Sequence, residues 1–289
     1  MQGRTKRRFL CALALLLLLP FLVASSFAGR AAPQAGSPQA ARKLRLYVLD
    51  GGTIVGRNMD RYNLPTEVRN MSVAVFLIVH PRGTLLFDTG LGDQFVSKQQ
   101  LPPDPAYTVQ VTLKSQLDRI GISPKDIAYL ALSHAHPDHI GNANDYAGST
   151  VLIQKREWDT MFPPSPANAR NYSYYSALKE SKTILLDGDY DVFGDGSVVL
   201  VSTPGHSPGH QSLFVKLADT GPVIMTGDAY HYPEERTFHK LPKGDPNIEQ
   251  SALSRAKMDS IIEWTGAQLW ISHDILNWAK LKKSPDYYE

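Results

Sequence analysis

The sequence predicts an α/β fold from residue 43 onward, because strand-like and helix-like segments follow one another along the chain. In residues 44–49 apolar side chains alternate with Arg45, the pattern of a half-buried strand. Residues 72–79 are apolar nearly throughout, which is typical of a strand covered on both faces. Leu113, Leu117 and Ile120 recur at helical spacing, so a helix is expected there.

Glycines and prolines predict where these elements begin and end. Gly51-Gly52 is expected to end the first strand, and a Pro-Arg-Gly turn at residues 81–83 precedes a strand at residues 84–87. Gly121 is expected to end the helix. Further short strands are expected at residues 127–132, 150–153, 198–202, 212–216, 223–226 and 268–272.

A second helix is predicted to begin at Asp245-Pro246. Asp245 would be its N-cap and the proline would occupy its first turn. The apolar face of this helix would consist of Ile248, Ala252, Ala256 and Ile262.

Residues 161–175 contain three prolines and four aromatic residues, which predicts an ordered but irregular loop. Two alternatives stay open for its aromatic side chains. They line a substrate pocket, or they pack onto the core. The aromatic residues considered for such a pocket are Trp158, Phe162, Tyr172 and Tyr174.

The composition excludes several classes of protein. Of the 289 residues, 43% are hydrophobic and 20% are charged, which does not suit a disordered chain, a collagen or a coiled coil. The 30 basic and 28 acidic residues give a net charge of +2, which argues against a nucleic-acid binder. No repeat or linker divides the sequence after residue 42, so residues 43–289 are expected to form one domain.

Residues 1–28 have the pattern of a secretory signal peptide. Four basic residues precede an unbroken apolar run at residues 9–19, and Ser26 and Ala28 occupy the small-residue positions of a cleavage site. We therefore expect the protein to be exported, to the periplasm or outside the cell. The alternative is an uncleaved membrane anchor, because residues 21–23 extend the apolar stretch.

Cleavage would change the chemistry of the chain. It would leave residues 29–42 as a flexible leader rich in small residues, proline and glutamine. The loss of four positive charges would change the net charge from +2 to −2. It would also remove Cys11, the only cysteine, so the mature chain would have neither a disulfide nor a cysteine metal ligand or nucleophile.

The most informative segment is His-Ala-His-Pro-Asp-His at residues 134–139, directly after a predicted buried strand. Three of the nine histidines fall within these six residues. Neutral imidazole nitrogen and carboxylate oxygen are ligands that suit zinc. The density of these ligands predicts a metal site that could hold two ions rather than one.

Three further candidate ligands, His206, Asp228 and His273, follow later predicted strands. Ligands gathered from several strand ends are typical of a site built on a rigid sheet. His210 lies four residues after His206, and we expect it to support the site without binding a metal.

These motifs resemble those of the metallo-β-lactamase superfamily and, within it, the N-acyl homoserine lactonases, which are quorum-quenching enzymes. The resemblance rests on the His-rich segment at 134–139, on TPGHSPGHQSLF at 203–214, on Gly-Asp at 227–228 and on Ser-His-Asp at 272–274. It covers about residues 44–275. It implies an αββα sandwich of two mixed β-sheets flanked by helices, with the metal site at one edge.

The resemblance also implies a set of ligands. One ion would be bound by His134, His136 and His206, and the other by Asp138, His139 and His273. Asp228 would bridge both ions together with a hydroxide. Asp88 matches a family position that orients a ligand histidine. The cofactors implied are two divalent metal ions, zinc in most of the family, with no organic cofactor.

One position departs from the lactonase pattern. These enzymes typically carry a tyrosine three residues after the bridging aspartate, where it contacts the substrate carbonyl. Here that position is His231, between Tyr230 and Tyr232. Either His231 or a neighbouring tyrosine takes this role, or the substrate differs. Tyr230 and His231 therefore join Asp138 as candidate catalytic residues.

The activity implied is opening of the lactone ring of N-acyl homoserine lactones by the bridging hydroxide. Two metal ions lower the pKa of water from near 16 toward about 7. Asp138 would carry a proton from the attacking hydroxide to the leaving alkoxide. The expected partner is a small lactone or ester. No nucleic acid is expected, and no membrane apart from the N-terminal segment if it stays uncleaved.

Several alternatives stay open. The substrate could be another lactone, an ester, a thioester of the glyoxalase II type or a β-lactam. The missing cysteine ligand argues against one major β-lactamase class, and the slightly acidic mature chain argues against phosphodiester cleavage. Outside enzymes, the alternative is a metal-dependent ligand-binding protein. Turnover that is lost on chelation and restored by metal would separate the two classes.

Overall fold

Two mixed β-sheets packed face to face form the centre of the fold in this computed structural model, which describes residues 43–96, 106–165 and 171–289. All of these residues lie in one compact unit. The described strands are β1 Arg45–Asn58, β2 Val68–His80, β3 Gly83–Phe87, β4 Ala106–Thr108, β5 Tyr129–Ala131, β6 Thr150–Gln154, β7 Thr183–Leu186, β8 Tyr190–Asp191, β9 Val198–Ser202, β10 Gln211–Leu217, β11 Gly221–Met225 and β12 Gln268–Trp270.

The strand order brings several strand ends to one edge. The first sheet runs β4-β1-β2-β3-β5-β6-β7, and its strands β3, β5, β6 and β7 pair in parallel. The second sheet runs β12-β11-β10-β9-β8. In it β11 pairs in parallel with β12, while β10 is antiparallel to both β9 and β11. The carboxyl ends of β9, β11 and β12 therefore lie at the same edge of this sheet.

The described helices are α1 Leu113–Arg119, α2 Pro137–Ile140, α3 Lys155–Met161, α4 Tyr172–Tyr175, α5 Pro233–Thr237, α6 Ile248–Thr265 and α7 Ile275–Trp278. Two of them, α1 and α6, lie on the outer faces of the sheets. Leu113 and Leu117 of α1 pack against Val75 on the outer face of the first sheet. Met258 of α6 packs against Ile224 on the outer face of the second.

Apolar side chains from both sheets fill the space between them. Phe76 and Phe87 of the first sheet share one buried cluster with Leu213, Met225 and Trp270 of the second. Burial of such side chains stabilises the fold by roughly 1.5–3 kcal/mol each. The layers thus run helix, sheet, sheet, helix, and the predicted αββα sandwich is confirmed.

The first strand does not end at Gly51-Gly52 as expected. β1 continues through both glycines to Asn58, with a shift in its register against β2 between Asp50 and Thr53. A Cβ atom at Gly51 would lie 2.9 Å from the Cα of Gly90, so the glycine permits the close approach of another segment here. Glycine thus marks a bulge and a contact in this strand.

The predicted start and buried face of the long helix were also wrong. Asn247 caps α6 by accepting a hydrogen bond from the backbone N–H of Gln250, and Asp245 lies before the cap. Ile248 is 48% exposed. The buried residues of α6 are Ser251, Ser254, Arg255 and Met258. The helix buries polar groups because they bond to the loops beneath it.

The aromatic side chains near residues 161–175 pack onto the core, which was one of the two alternatives. Trp158, Phe162 and Tyr172 all pack against the buried cluster that includes Tyr175. The rings of Trp158 and Phe162 lie 4.3 Å apart between centroids. Tyr174 packs on the same cluster.

The predicted signal segment 1–28 and leader 29–42 lie outside the described residues. Export and cleavage therefore stay predictions. Within the described ranges, every helix is too short or too polar to cross a lipid bilayer.

Candidate metal centre

The His-rich segment turns sharply where β5 ends, which brings its side chains together. His134 lies on the loop after β5, and His136 immediately precedes α2. Pro137 begins this helix, where its lack of a backbone N–H costs nothing. Asp138 and His139 then lie within the single helical turn, both buried. A strand end followed at once by a helix start therefore presents four ligand side chains within six residues.

The other candidate ligands come from the ends of three strands in the second sheet. His206 lies in the loop between β9 and β10, Asp228 in a 3₁₀ turn after β11, and His273 after β12. Gly227 shapes the turn that carries Asp228, because its φ is 53° and an added Cβ would lie 2.7 Å from Nε2 of His210. Only glycine fits this position without strain.

The structure brings all seven predicted ligands together in two adjoining groups. The first group consists of His134, His136, His206 and Asp228, and the second of Asp138, His139 and His273. Within each group, one donor atom per residue lies within 4.8 Å of every other. The same side chains were assigned to the two ions by resemblance.

Asp228 lies between the two groups, with one oxygen facing each. Its Oδ1 is 3.0 Å from Nε2 of His139 and 3.0 Å from Nε2 of His273. Its Oδ2 is 3.3 Å from Nε2 of His206 and 3.6 Å from Nε2 of His134. This is the placement that a bridging carboxylate requires.

The chemistry of these atoms fits divalent metal ions. Nε2 of His134, Nε2 of His139 and Oδ1 of Asp228 are buried without a hydrogen-bond partner among the described residues. An unpaired buried polar atom costs roughly 1–3 kcal/mol, so such atoms are normally paired. Imidazole nitrogens and carboxylate oxygens are ligands for zinc and similar ions, which would pair all three atoms.

Most of the candidate ligand histidines make a hydrogen bond through the ring nitrogen that faces away from the two groups. Nδ1 of His139 lies 2.8 Å from Asp88, and Nδ1 of His273 lies 2.7 Å from the backbone oxygen of Ser72. Nδ1 of His206 lies 3.0 Å from Asp245. Such contacts fix the orientation of each ring and raise its basicity toward a metal. The expected orienting contact of Asp88 is present.

His210 supports the site without belonging to either group. Its Nδ1 donates to the backbone oxygen of Thr203 at 3.1 Å, and its Nε2 accepts from the backbone N–H of Asp228 at 2.9 Å. Burial lowers the pKa of His210 to about 3, so the ring stays neutral and can accept this bond. His210 thereby positions the turn that carries Asp228.

Glu157 was not singled out from the sequence, yet it joins two loops of the site. Its carboxylate accepts hydrogen bonds from the backbone N–H of Ala135 at 2.9 Å and from the hydroxyl of Ser207 at 2.6 Å. The backbone N–H of Gly209 donates to it at 3.0 Å. The side chain is 2% exposed. Glu157 thus fixes the His134–His139 loop relative to the loop of His206.

Burial and neighbouring charges set the protonation of the ligands. Burial lowers the pKa of His134 well below its usual value, and the nearby histidines add to this effect. Burial alone would also lower the pKa of His139, but the carboxylates of Asp228 and Asp138 raise this pKa well above the usual value for histidine. Burial opposes ionisation of Asp138, yet His139 and His273 hold its pKa below the usual range. Asp138 is therefore a carboxylate at neutral pH.

Among Tyr230, His231 and Tyr232, the residue that lies at the candidate metal centre is His231. Its Nε2 is 3.3 Å from Oδ2 of Asp228, and its ring stacks on His273 with centroids 5.8 Å apart. Burial would lower its pKa, but Asp228 and Glu235 raise it to about 9.

Tyr230 and Tyr232 point elsewhere. Tyr230 lies under Arg255, whose guanidinium is 4.2 Å from the ring centroid, and it lines a separate cavity with Arg236. Tyr232 packs against Tyr62 in a third hydrophobic cluster.

A buried ion pair holds the segment that carries His231. Glu235 accepts hydrogen bonds from the backbone N–H groups of His231 and Tyr232, and it pairs with Arg255 at 2.8 Å. Arg255 also donates to the backbone oxygen of Ala229 at 2.7 Å. These contacts explain why α6 buries an arginine, because Arg255 connects the helix to the turn beside the metal centre.

A cavity of about 380 Å³ opens over both groups of ligands. Asp138, His206 and Asp228 line its inner end, together with His231. None of the aromatic residues considered for a pocket (Trp158, Phe162, Tyr172 and Tyr174) is among its described lining residues, whereas Tyr62 and Tyr107 are.

Comparison with known proteins identifies relatives that match most of the chain. Residues 68–259 match the family model of the metallo-beta-lactamase superfamily. The chain is 29% identical over 263 residues to the N-acyl homoserine lactonase AttM of Azorhizobium caulinodans, covering 85% of this chain and 99% of the relative. It is 28% identical over 233 residues to the N-acyl homoserine lactonase AiiA of Bacillus thuringiensis subsp. kurstaki, covering 77% and 89%.

Solved structures of such enzymes share the fold. A variant of B. thuringiensis AiiA with N-decanoyl-L-homoserine bound at its active site superposes with a TM-score of 0.72 at 25% identity, covering 85% of this chain and 100% of that one. The dizinc quorum-quenching lactonase AidC has the same fold, with a TM-score of 0.61 at 20% identity, covering 86% and 95%. The predicted resemblance is confirmed, and the chain belongs to the metallo-beta-lactamase superfamily.

Proposed function

We propose that this protein is a metal-dependent hydrolase that opens the lactone ring of N-acyl homoserine lactones, with two divalent metal ions, zinc in the first instance, at the His/Asp centre. The observation that carries this proposal is Asp228, whose two oxygens face separate groups of ligand nitrogens. The names of the relatives support the substrate class, since AttM and AiiA are both N-acyl homoserine lactonases.

Lactone hydrolysis breaks the ring ester C–O bond and adds one water, so a proton must pass from the water to the leaving alkoxide. Two bound cations would supply Lewis-acid activation of the water and of the carbonyl. Asp138 lines the cavity and is ionised at neutral pH, so it can accept this proton and return it. The product is a single ring-opened hydroxy acid.

His231 takes the place beside the substrate carbonyl that tyrosine has in the family pattern. It lines the cavity and lies against Asp228, whereas Tyr230 lines a different cavity. An imidazole N–H can donate a hydrogen bond to a carbonyl oxygen as negative charge develops on it. We assign this role to His231 and not to Tyr230.

The test is hydrolysis of a substrate panel by the purified protein before and after chelation. The panel contains N-acyl homoserine lactones of several chain lengths, a simple γ-lactone, a glutathione thioester and a β-lactam. We expect ring opening of the acyl homoserine lactones, loss of activity after chelation, and recovery with zinc, cobalt or manganese. Mass spectrometry should show addition of one water to the substrate.

Other outcomes would each contradict part of the proposal. Preference for the thioester or the β-lactam would exclude the lactonase assignment. Activity that survives complete removal of metal would exclude the metal centre as its source. Binding of a lactone without turnover, even after metal is restored, would favour a binding protein.

A further inference from the structure

Two arginines line the cavity beside the metal centre without a carboxylate partner among the described residues. Arg57 lies near the end of β1, and Arg61 lies in the 3₁₀ turn that follows this strand. Arginines elsewhere in the described chain commonly pair with an acidic side chain, as Arg45, Arg69, Arg82, Arg236 and Arg255 do. The cavity thus contains two guanidinium groups that form no ion pair with the described residues.

One of these arginines has a buried donor that is not used. Nε of Arg57 is inaccessible to solvent and has no hydrogen-bond partner among the described residues. A buried donor left unpaired costs roughly 1–3 kcal/mol, and more when the group is charged. Arg57 thus lines the cavity and has a donor that no described residue uses.

The acidic side chains of the same cavity are already engaged. Asp138 and Asp228 belong to the two ligand groups. Asp245 bonds to His206 at 3.0 Å and accepts from the hydroxyl of Ser251 at 2.6 Å. Each of these carboxylates therefore has partners other than the two arginines.

Tyr62 directly follows Arg61 in the chain and lines the cavity together with both arginines. Burial raises the pKa of the Tyr62 phenol, the charges of Arg57 and Arg61 oppose this rise, and Asp228 adds to it. The ring of Tyr62 also packs against the ring of His231, at an interplanar angle of 44° and with centroids 4.4 Å apart. A ligand that reaches from Asp228 past His231 and Tyr62 would thus come close to both guanidinium groups.

We infer that the substrate carries an anionic oxygen group, a carboxylate or a phosphate, in addition to its ester bond, and that Arg57 and Arg61 bind this group. The inference rests on the proposed hydrolysis of a lactone. The planar guanidinium presents paired donors that match carboxylate and phosphate geometry. A plain acyl homoserine lactone is uncharged and would leave both arginines unpaired in the complex.

The test uses a matched pair of substrates. One is homoserine lactone acylated with glutaric acid, whose chain ends in a carboxylate, and the other is the methyl ester of that carboxylate. A third compound with a phosphate monoester at the chain end distinguishes the two anionic groups. We expect a KM for the preferred anionic lactone that is roughly 10–100-fold lower than for the methyl ester, as charge-assisted hydrogen bonds would give. This advantage should shrink as salt is added.

Substitutions assign the effect to the two arginines. R57Q and R61Q should each reduce the ratio of KM values between the anionic lactone and the methyl ester, and the double variant should bring it close to one. The matched control is R119Q, which replaces an exposed arginine at the end of α1. This variant should keep the full ratio of KM values. A ratio near one in the unsubstituted protein, or a ratio that survives the double substitution, overturns the inference.

A binding measurement keeps this inference separate from the proposed function. Lactam analogues of the charged and uncharged compounds, in which an N–H replaces the ring oxygen, are titrated calorimetrically into the metal-loaded protein. Tighter binding of the charged lactam without turnover of any lactone would refute the proposed function and support the arginine site. Equal or absent binding of both lactams, beside normal lactone turnover, would refute the arginine site alone.

Discussion

At the scale of single residues, Asp138 has the most specific chemical role in the proposed mechanism. Asp138→Asn preserves the shape of the side chain and one oxygen, but the amide cannot accept and return a proton. We expect kcat to fall by about 10²–10⁴-fold, the usual contribution of a positioned acid or base. Steady-state lactone hydrolysis with metal content measured on the same sample checks this.

The metal content makes the Asp138 result interpretable. Much of the metal should remain, because His139 and His273 stay in the second group. Near-normal kcat in a metal-loaded Asp138→Asn variant would show that another group carries the proton.

Asp245 shows why some residues of the site could not be found from the sequence. Asp followed by Pro is a common helix start, and this local pattern favoured the N-cap interpretation. In the fold, Asp245 bonds to His206, which lies 39 positions away. The cap is Asn247. A local motif cannot reveal a contact that depends on how two distant loops meet.

At the scale of secondary-structure elements, α3 is connected to the metal centre through Glu157. Glu157→Gln replaces one acceptor oxygen with an N–H₂ group. In one orientation this group faces the donor of Ala135, and in the other it faces the donors of Ser207 and Gly209. We expect the affinity for metal to fall by about 10–100-fold, as when an outer partner of a metal ligand is lost. Competition for zinc with a fluorescent chelator measures this change.

A matched substitution controls for the loss of charge. Glu263→Gln makes the same chemical change at an exposed position of α6 and should leave the affinity for zinc unaltered. If Glu157→Gln and Glu263→Gln bind zinc equally well, Glu157 does not position the two loops.

The elements that were predicted well are those that local pattern determines. The strand expected at residues 198–202 is β9, and the helix expected from Leu113 is α1, which ends shortly before Gly121. The face of α6 was wrong because its buried side is determined by partners elsewhere in the chain. Arg255 is buried because Glu235 and the backbone of Ala229 meet it there. Hydrophobic pattern alone predicts that an arginine is exposed.

At the scale of the whole molecule, the candidate metal centre draws its side chains from both sheets. His134 and His139 follow a strand of the first sheet, whereas His206, Asp228 and His273 follow strands of the second. Bound metal should therefore stabilise the packing of one sheet on the other. A ligand present at one hundred times its Kd stabilises the folded state by about 2.7 kcal/mol.

Removal of metal should consequently lower the Tm. For a chain of this size, about 2.7 kcal/mol corresponds to roughly 5–10 °C. Calorimetry of the chelated protein, and of the same sample after zinc is restored, checks this expectation. An unchanged Tm would mean that the ligands do not hold metal across the two sheets in the folded state.

The position of the site in the fold was predictable because its ligands follow strands. Every predicted ligand comes after the carboxyl end of a strand, and the strand order places those ends close together. The shape of the substrate cavity was not predictable. The cavity is lined by Arg57, Arg61 and Tyr62 because β1 continues past Gly51-Gly52. The two glycines had instead predicted that the strand ends there.

The metal content of the purified protein tests the central claim most directly. The protein is loaded with zinc and free metal is removed. Elemental mass spectrometry should then give close to two zinc ions per chain. His206→Ala and His273→Ala, one from each ligand group, should each lower this by about one ion, while exposed His239→Asn should keep both. One ion or fewer in the unsubstituted protein, or two ions in both alanine variants, would contradict a paired metal centre bridged by Asp228.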